Sequence, residues 1–87
     1  MAEVAVVGAG PGGAAMATHL ARTGKHVALL DKDTFPRDKP CAECLSPVAT
    51  PMLAELGVLD ELLESRPARR PGFRVFAPDG RIFQGDF

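Results

Sequence analysis

The order of apolar and glycine-rich segments in the first 31 residues constrains the fold more than any other feature of this chain. An apolar run from Val4 to Val7 leads into Gly-Ala-Gly-Pro-Gly-Gly at residues 8–13, and an alanine-rich stretch follows. A second apolar run, from Val27 to Leu30, ends at Asp31. Glycines also cluster in ordinary loops, but here a strand precedes them, a helix follows, and an acid lies roughly 20 residues beyond. The segment therefore predicts a βαβ unit that binds a dinucleotide.

Each glycine of this turn has a mechanical reason to be there. Gly8 lets the chain turn out of the strand, Gly10 leaves room for a pyrophosphate near the backbone, and Gly13 lets helix and sheet pack closely. Pro11 suits the first helical turn, where its missing N–H costs nothing. Free N–H groups at the positive end of a helix bind a diphosphate without added basic residues. The candidate pyrophosphate-binding residues are Gly8, Gly10, Pro11, Gly12 and Gly13.

The acidic residue that ends the second strand predicts the kind of nucleotide. A carboxylate at Asp31 accepts hydrogen bonds from the hydroxyls of an adenosine ribose, and it repels a 2′-phosphate, which disfavours NADP. Lys32 follows as a candidate neighbour of the cofactor phosphates, and Lys39 has the same chemistry. Charged loop residues are usually only solvated, and this alternative stays open for both lysines.

Composition excludes several functional classes. The chain has 87 residues, 46% hydrophobic content and a formal charge of −1, so it is expected to be globular, with no bias toward nucleic acid. The N-terminal apolar run is too short for a signal peptide or a membrane span, which makes the cytoplasm the expected location. Cys41 and Cys44 are then expected to stay reduced, and without a second cysteine pair they predict no metal site. No residues form a recognisable catalytic constellation.

The length of the chain predicts that it is the N-terminal fragment of a larger protein. Two parallel strands and one helix cannot cover both faces of a sheet, whereas parallel sheets are normally covered on both. We expect a dinucleotide-binding unit at 1–32, a loop and helix at 33–64, and a linker with the start of a β-sheet at 65–87. The strand residues expected to lack sufficient cover are Val4, Val6, Val27 and Leu29.

Helical and strand signals separate in the second half of the chain. Apolar residues recur at helical spacing between 48 and 64, and Gly57 is placed to end one helical segment, with the next valine contacting Leu53. Either Ser46-Pro47 or Thr50-Pro51 is a plausible start for that helix. Alternating apolar residues on both sides of a Pro-Asp-Gly turn predict a β-hairpin over 73–87.

The segment after the second strand carries a family resemblance. It reads FPRDKPCAECLSP at 35–47, and its three prolines exclude the helix that a nicotinamide-binding Rossmann domain would place there. Together with the glycine-rich βαβ segment, it resembles the N-terminus of the flavoprotein monooxygenase superfamily, most closely the geranylgeranyl-reductase-like branch. Flavin-dependent halogenases share a similar segment. The resemblance covers residues 3 to about 64 and depends on the order of the motifs.

This resemblance implies an FAD-dependent oxidoreductase with a Rossmann-like α/β fold. It assigns Arg37 to the pyrophosphate or ribityl region of FAD and brings Glu43 toward the cofactor or substrate. Ala42 replaces the usual glycine and Cys44 replaces a small or hydroxyl residue, so the path of the loop is expected to differ there. The hairpin would join the antiparallel sheet of a larger α+β substrate domain.

The resemblance also implies the reaction. Flavin would take hydride from NAD(P)H and then act in a monooxygenase, reductase or halogenase reaction on a small organic or isoprenoid substrate. The remainder of the flavoenzyme, as continuous or separate chain, would be the partner. The alternatives are an NAD-binding dehydrogenase, which the proline-rich loop disfavours, and a non-catalytic nucleotide-binding fragment completed by a partner chain.

Overall fold

The computed structural model describes residues 1–41 and 44–87 and divides the chain into two compact units, Met1–Cys44 and Leu45–Phe87. Both strands and helices occur, so the chain is of mixed α/β class. The first unit contains β1 (Val4–Val7), α1 (Pro11–Arg22) and β2 (Val27–Leu30). The second contains α2 (Ala49–Leu56), α3 (Leu59–Glu64), β3 (Gly72–Phe76) and β4 (Ile82–Asp86).

The first unit is a parallel βαβ arrangement, as the glycine-rich segment predicts. β1 and β2 pair in parallel, with Val4 opposite Val27 and Val7 opposite Leu30. The ladder continues into the turn, because the N–H of Gly8 donates to the carbonyl oxygen of Leu30 at 2.7 Å. The end of β1 is thereby fixed beside the end of β2, and both strands stop at the edge where the glycine-rich turn begins.

The face of this small sheet that meets α1 is covered only in part. Side chains alternate between the two faces of a strand, and Val6 lies on the face that α1 covers, within reach of Gly13. Val4, Val6 and Val27 are half-buried, whereas Leu29 is 42% exposed. The opposite face is more open, since Val7 is 83% exposed and Leu30 52% exposed. Leu29 is exposed as predicted, and the three valines are shielded only in part, so none of the four residues is fully buried.

Backbone hydrogen bonds define the start and the end of α2. α2 starts at Ala49, whose N–H donates to the Ser46 carbonyl at 3.0 Å, so a turn that begins at Ser46-Pro47 leads into the helix and Thr50-Pro51 lies inside it. Gly57 ends it in the left-handed region with φ +81°, and the Val58 N–H reaches back to the Leu53 carbonyl at 3.1 Å. This is the Schellman arrangement, and it confirms the predicted role of Gly57.

β3 and β4 form the predicted antiparallel hairpin. Gly72 pairs with Asp86 at the open end, and Phe76 pairs with Ile82 next to the turn. Gly80 takes a positive φ of +87° in that turn, which is the left-handed conformation that glycine adopts without strain. Apolar side chains on the hairpin stay open to solvent, and Phe83 is 77% exposed.

Candidate nucleotide-binding site

The N-terminus of α1 presents free donors beside the glycine-rich turn. Gly10 caps the helix through its backbone, and the Ala14 N–H donates to the Gly10 carbonyl at 2.9 Å. The N–H groups of Gly12 and Gly13 precede this first intrahelical bond and so have no helical acceptor. Within the described residues, no side chain caps this end and no acid lies in the first turn. The positive end of the helix dipole is therefore uncompensated by the helix itself.

Two glycines of the turn are required for different reasons, Gly8 for its backbone conformation and Gly13 for close packing. Gly8 has φ +104°, a conformation that residues with a β-carbon rarely adopt. A β-carbon on Gly13 would overlap the carbonyl oxygen of Gly8, so only glycine allows α1 to approach the end of β1. Gly12, in contrast, has open space where its side chain would be. The three glycines therefore have different packing requirements.

Asp31 joins the end of β2 to the same turn. Its Oδ2 accepts a hydrogen bond from the Ala9 N–H at 2.8 Å, and its Oδ1 accepts one from the Asp33 N–H at 2.8 Å. These two bonds are the main reason that the pKa of the Asp31 carboxyl lies below its ordinary value of 3.8. Desolvation opposes the decrease in pKa, and the nearby charges of Arg37 and Lys32 add to it.

The ionised Asp31 still has capacity for a ligand. Each carboxylate oxygen takes one backbone N–H and keeps a second lone-pair direction, so it can also accept a hydroxyl. Its side chain is 11% exposed, which leaves it accessible at the edge of the site. The bond from Ala9 was not foreseen from the sequence, where only an acid at the end of the strand was visible.

The proline-rich loop returns to the glycine-rich turn. Arg37 lies with its guanidinium 5.0 Å from the centre of the Phe35 ring, and it approaches the carboxylates of Asp31 and Asp33 at 3.9 Å each. A β-carbon built on Gly10 would lie 3.6 Å from Nη2 of Arg37. The residue that the family resemblance assigned to the cofactor is thus next to the candidate phosphate site.

Lys39 reaches the same place, although the sequence left its role open. A β-carbon on Gly10 would lie 3.2 Å from its Nζ. Lys32 is exposed beside Asp31, and the structure describes no ion pair for it. Glu43, the remaining candidate, and the substituted Ala42 lie outside the described residues.

The two cysteines belong to no metal site in the described residues. Cys41 and Cys44 are both exposed and not joined by a disulfide. In the part of the chain that the structure describes, no group of three histidine, cysteine or acidic residues is placed to hold a metal ion. The helices of that same part are all too short or too polar to cross a membrane.

A glycine-rich turn, an uncapped helix end and an acid at the end of the second strand define a dinucleotide-binding class of protein. Comparison with known proteins narrows the class, because the family described as "FAD binding domain" matches residues 1–82. The chain belongs to this family, and FAD is its cofactor. The predicted resemblance to FAD-dependent flavoproteins is thereby confirmed.

Three curated relatives illustrate the similarity. Menaquinone reductase of Mycobacterium tuberculosis is 47% identical over 83% of this chain and 18% of its own length. Conditioned medium factor receptor 1 of Dictyostelium discoideum is 41% identical over 97% of this chain and 17% of its own. Squalene epoxidase 6 of Arabidopsis thaliana is 34% identical over 99% of this chain and 16% of its own. The chain thus spans less than a fifth of each, and no solved structure matches it.

Proposed function

We propose that this chain is the FAD-binding N-terminal part of a flavin-dependent oxidoreductase and that it holds the ADP moiety of the cofactor. The observation that carries this proposal is the convergence on one helix end of the glycine-rich turn, the Asp31 carboxylate and the Arg37 guanidinium. The names of two relatives, a menaquinone reductase and a squalene epoxidase, support redox chemistry for the whole protein.

The proposed contacts follow from the geometry at the end of α1. The pyrophosphate lies against the N–H groups of the turn and the first helical residues, a set made up of Gly8, Gly10, Pro11, Gly12 and Gly13. Asp31 accepts the hydroxyls of the adenosine ribose. Arg37 and Lys32 lie toward the phosphates, and Glu43 remains a prediction from the family resemblance. The chain binds and orients the cofactor, and we assign it no catalytic acid, base or nucleophile.

The proposed architecture extends the observed βαβ unit. It comprises a Rossmann-like unit at 1–32, a cofactor-lining loop and helix at 33–64, and the start of a substrate-domain sheet from 65 onward. The remaining strands of both sheets belong to the same flavoenzyme, as continuous or separate chain. The exposed apolar residues of the hairpin support this, because such surface normally meets further polypeptide.

The proposed chemistry comes from the flavin. When bound, FAD would accept two electrons as hydride from a reduced nicotinamide and would pass them to an organic substrate or to dioxygen, and the reduction of dioxygen would drive oxygenation of a substrate or oxidation of a halide. The names of the relatives favour an apolar organic or isoprenoid substrate, since menaquinone and squalene are both of this kind. A non-catalytic FAD-binding fragment completed by a partner chain is the second candidate. The NAD-binding dehydrogenase considered from the sequence does not fit a chain of the FAD-binding family.

A spectrum and a single substitution test this proposal. We expect the full-length protein that carries this chain to show flavin absorption, and Gly10→Val to lose it while the fold is kept. The branched side chain would fill the space in front of the helix end and displace the Arg37 and Lys39 side chains. FAD titration by calorimetry measures the loss, and Ala21→Val, an exposed position of α1, is the control. Equal FAD affinity of Gly10→Val and wild type would contradict the assignment.

A further inference from the structure

The loop between β2 and α2 carries two cysteines, Cys41 and Cys44, that the proposed function does not use. Both are exposed, and no disulfide joins them. Neither lies in a helix or a strand, so a bond between them would disrupt no helical or strand hydrogen bond. They are the only cysteines among these 87 residues, so an intramolecular disulfide within this chain can join only this pair.

The spacing of the two cysteines is compatible with a disulfide. The bond requires Cα atoms about 4.4–6.8 Å apart. The first and fourth residues of a β-turn lie less than about 7 Å apart, so a turn that starts at Cys41 brings Cys44 into this range. In an extended chain, residues at this spacing are roughly 10 Å apart. The disulfide therefore holds the two cysteines at the spacing of a turn, which two thiols do not enforce.

The cysteine pair follows the part of the loop that contacts the glycine-rich turn. Nη2 of Arg37 and Nζ of Lys39 lie 3.6 and 3.2 Å from a β-carbon built on Gly10. Only Pro40 separates Lys39 from Cys41, and the proline ring restricts φ at that position. A change of chain direction at Cys41 is therefore passed on to Lys39. Because the contacts with Gly10 belong to the form with two thiols, a disulfide is expected to weaken them.

We propose that Cys41 and Cys44 form a reversible modification site, at which hydrogen peroxide converts the two thiols into a disulfide that lowers the affinity for FAD. The effect on FAD rests on the proposed function, whereas the disulfide itself does not. Hydrogen peroxide is the two-electron reduction product of dioxygen, one of the acceptors in the proposed chemistry. Both cysteines have the exposure that reaction with a small oxidant requires.

The reaction proceeds in two steps. One thiolate attacks an oxygen of the peroxide, so that an S–O bond forms, the O–O bond breaks and the leaving hydroxide takes up a proton to become water. The second thiolate attacks the sulfenic sulfur, so that the S–S bond forms, the S–O bond breaks and a second water leaves. The two thiols together lose two electrons and two protons. Exchange with an added thiol restores them, which makes the modification reversible.

Mass spectrometry of the full-length flavoprotein tests the disulfide. After reduction and treatment with one equivalent of hydrogen peroxide, the peptide that contains both cysteines should be lighter by two hydrogen atoms. Dithiothreitol should restore its mass. Recovery of Cys41 and Cys44 as thiols, or in bonds to cysteines elsewhere in the protein, would overturn the inference.

FAD titration of the reduced and the oxidised protein tests the effect on the cofactor. We expect the oxidised form to bind FAD about fivefold more weakly, at the lower end of the couplings usual between two linked sites. Coupling between two binding equilibria is reciprocal, so saturating FAD should favour the dithiol by the same factor. The reduction potential of the disulfide should then rise by about 20 mV, since a tenfold change corresponds to 29.6 mV.

Cys44→Ser is the matched control, because serine has nearly the same size and cannot form the bond. Its FAD affinity should be the same before and after peroxide treatment. An equal loss of affinity in Cys44→Ser would assign the effect to oxidation elsewhere and overturn the inference. A disulfide that forms without any change in FAD affinity would also overturn it. If the reduced wild-type protein binds no FAD, the proposed function fails and the effect on FAD fails with it, whereas the mass measurement still decides whether the disulfide forms.

Discussion

The interactions within the first unit differ from those within the second. In Met1–Cys44, a side-chain hydrogen bond joins Asp31 to the Ala9 N–H across 22 positions. In Leu45–Phe87, side-chain hydrogen bonds include local ones, such as the bond from the Arg81 N–H to Asp79 two positions away. Neither α2 nor α3 buries a residue, whereas α1 buries Ala17. The first unit therefore specifies its own geometry, and the second forms its elements but lacks a core.

This difference agrees with the proposal that the first unit binds the cofactor. The first unit fixes a turn, a helix end and a carboxylate within a few ångströms of each other, as a binding site requires. The second exposes large apolar residues on both helices and hairpin, among them Met52 at 59% and Phe76 at 67%. Its shape follows from local sequence signals, and its stability depends on contacts that these residues do not make with each other.

The largest expected loss of stability comes from a substitution at the closest contact of the first unit, between Gly13 and Gly8. Gly13→Ala should destabilise the full-length protein by about 3 kcal/mol or more, because the added methyl overlaps the Gly8 carbonyl, which belongs to the backbone and cannot rotate away. Gly12→Ala is the matched control for stability, since its methyl meets nothing within 4 Å and should change stability by less than about 1 kcal/mol. Urea unfolding of both variants measures the difference. Similar unfolding midpoints would show that α1 does not depend on this approach.

A smaller effect is expected from the equivalent change in the second unit. Gly57→Ala forces a β-carbon into the left-handed conformation at φ +81°, which should cost about 1–2 kcal/mol. Gly57→Asn should cost less, because asparagine tolerates this conformation. Thermal unfolding followed by circular dichroism compares the two variants. Equal destabilisation by alanine and asparagine would mean that side-chain volume, and not backbone conformation, limits this position.

The smallest expected effect is a change in how stability depends on pH when Asp31 is replaced. Asp31 has a lowered pKa in the folded chain, so the unfolded chain binds the proton more tightly and stability falls as pH drops below about 3.8 through the folded pKa. The stability advantage of wild type over Asp31→Asn should be full above that value and shrink below it. Asp38→Asn, an exposed aspartate of the same loop, is the control. Denaturant unfolding between neutral pH and pH 3 measures the free energy of unfolding of each variant. A difference between wild type and Asp31→Asn that does not change with pH would exclude the hydrogen bond from Ala9 as its cause.

The elements that could be predicted are those with a local signal. A few neighbouring residues are enough to predict three features: the strand before the glycines, the proline at the start of α1 and the glycine that ends α2. The start of α2 at Ala49 was harder, because two proline pairs give competing signals and Val48 is not a typical N-cap. Local chemistry alone does not rank such alternatives.

The candidate site was predictable only in part for a different reason. The glycines and Asp31 belong to a spaced pattern, so their proximity follows from the βαβ arrangement. The approach of Lys39 to Gly10 and the pairing of Arg37 with Asp33 depend on the path of a proline-rich loop, which has no periodicity to read. The sequence marked these residues as charged, but their positions required the folded chain.

The hydrogen bond from Ala9 to Asp31 also orders events during synthesis. Its donor lies in the turn after β1, and its acceptor is the first residue after β2, 22 positions later. A nascent chain leaves the ribosome from its N-terminus, and N-terminal segments generally fold first. The glycine-rich turn therefore emerges well before the carboxylate that fixes it. Both bonded groups lie within the first 31 residues, so this contact between the turn and the end of β2 can form early in synthesis.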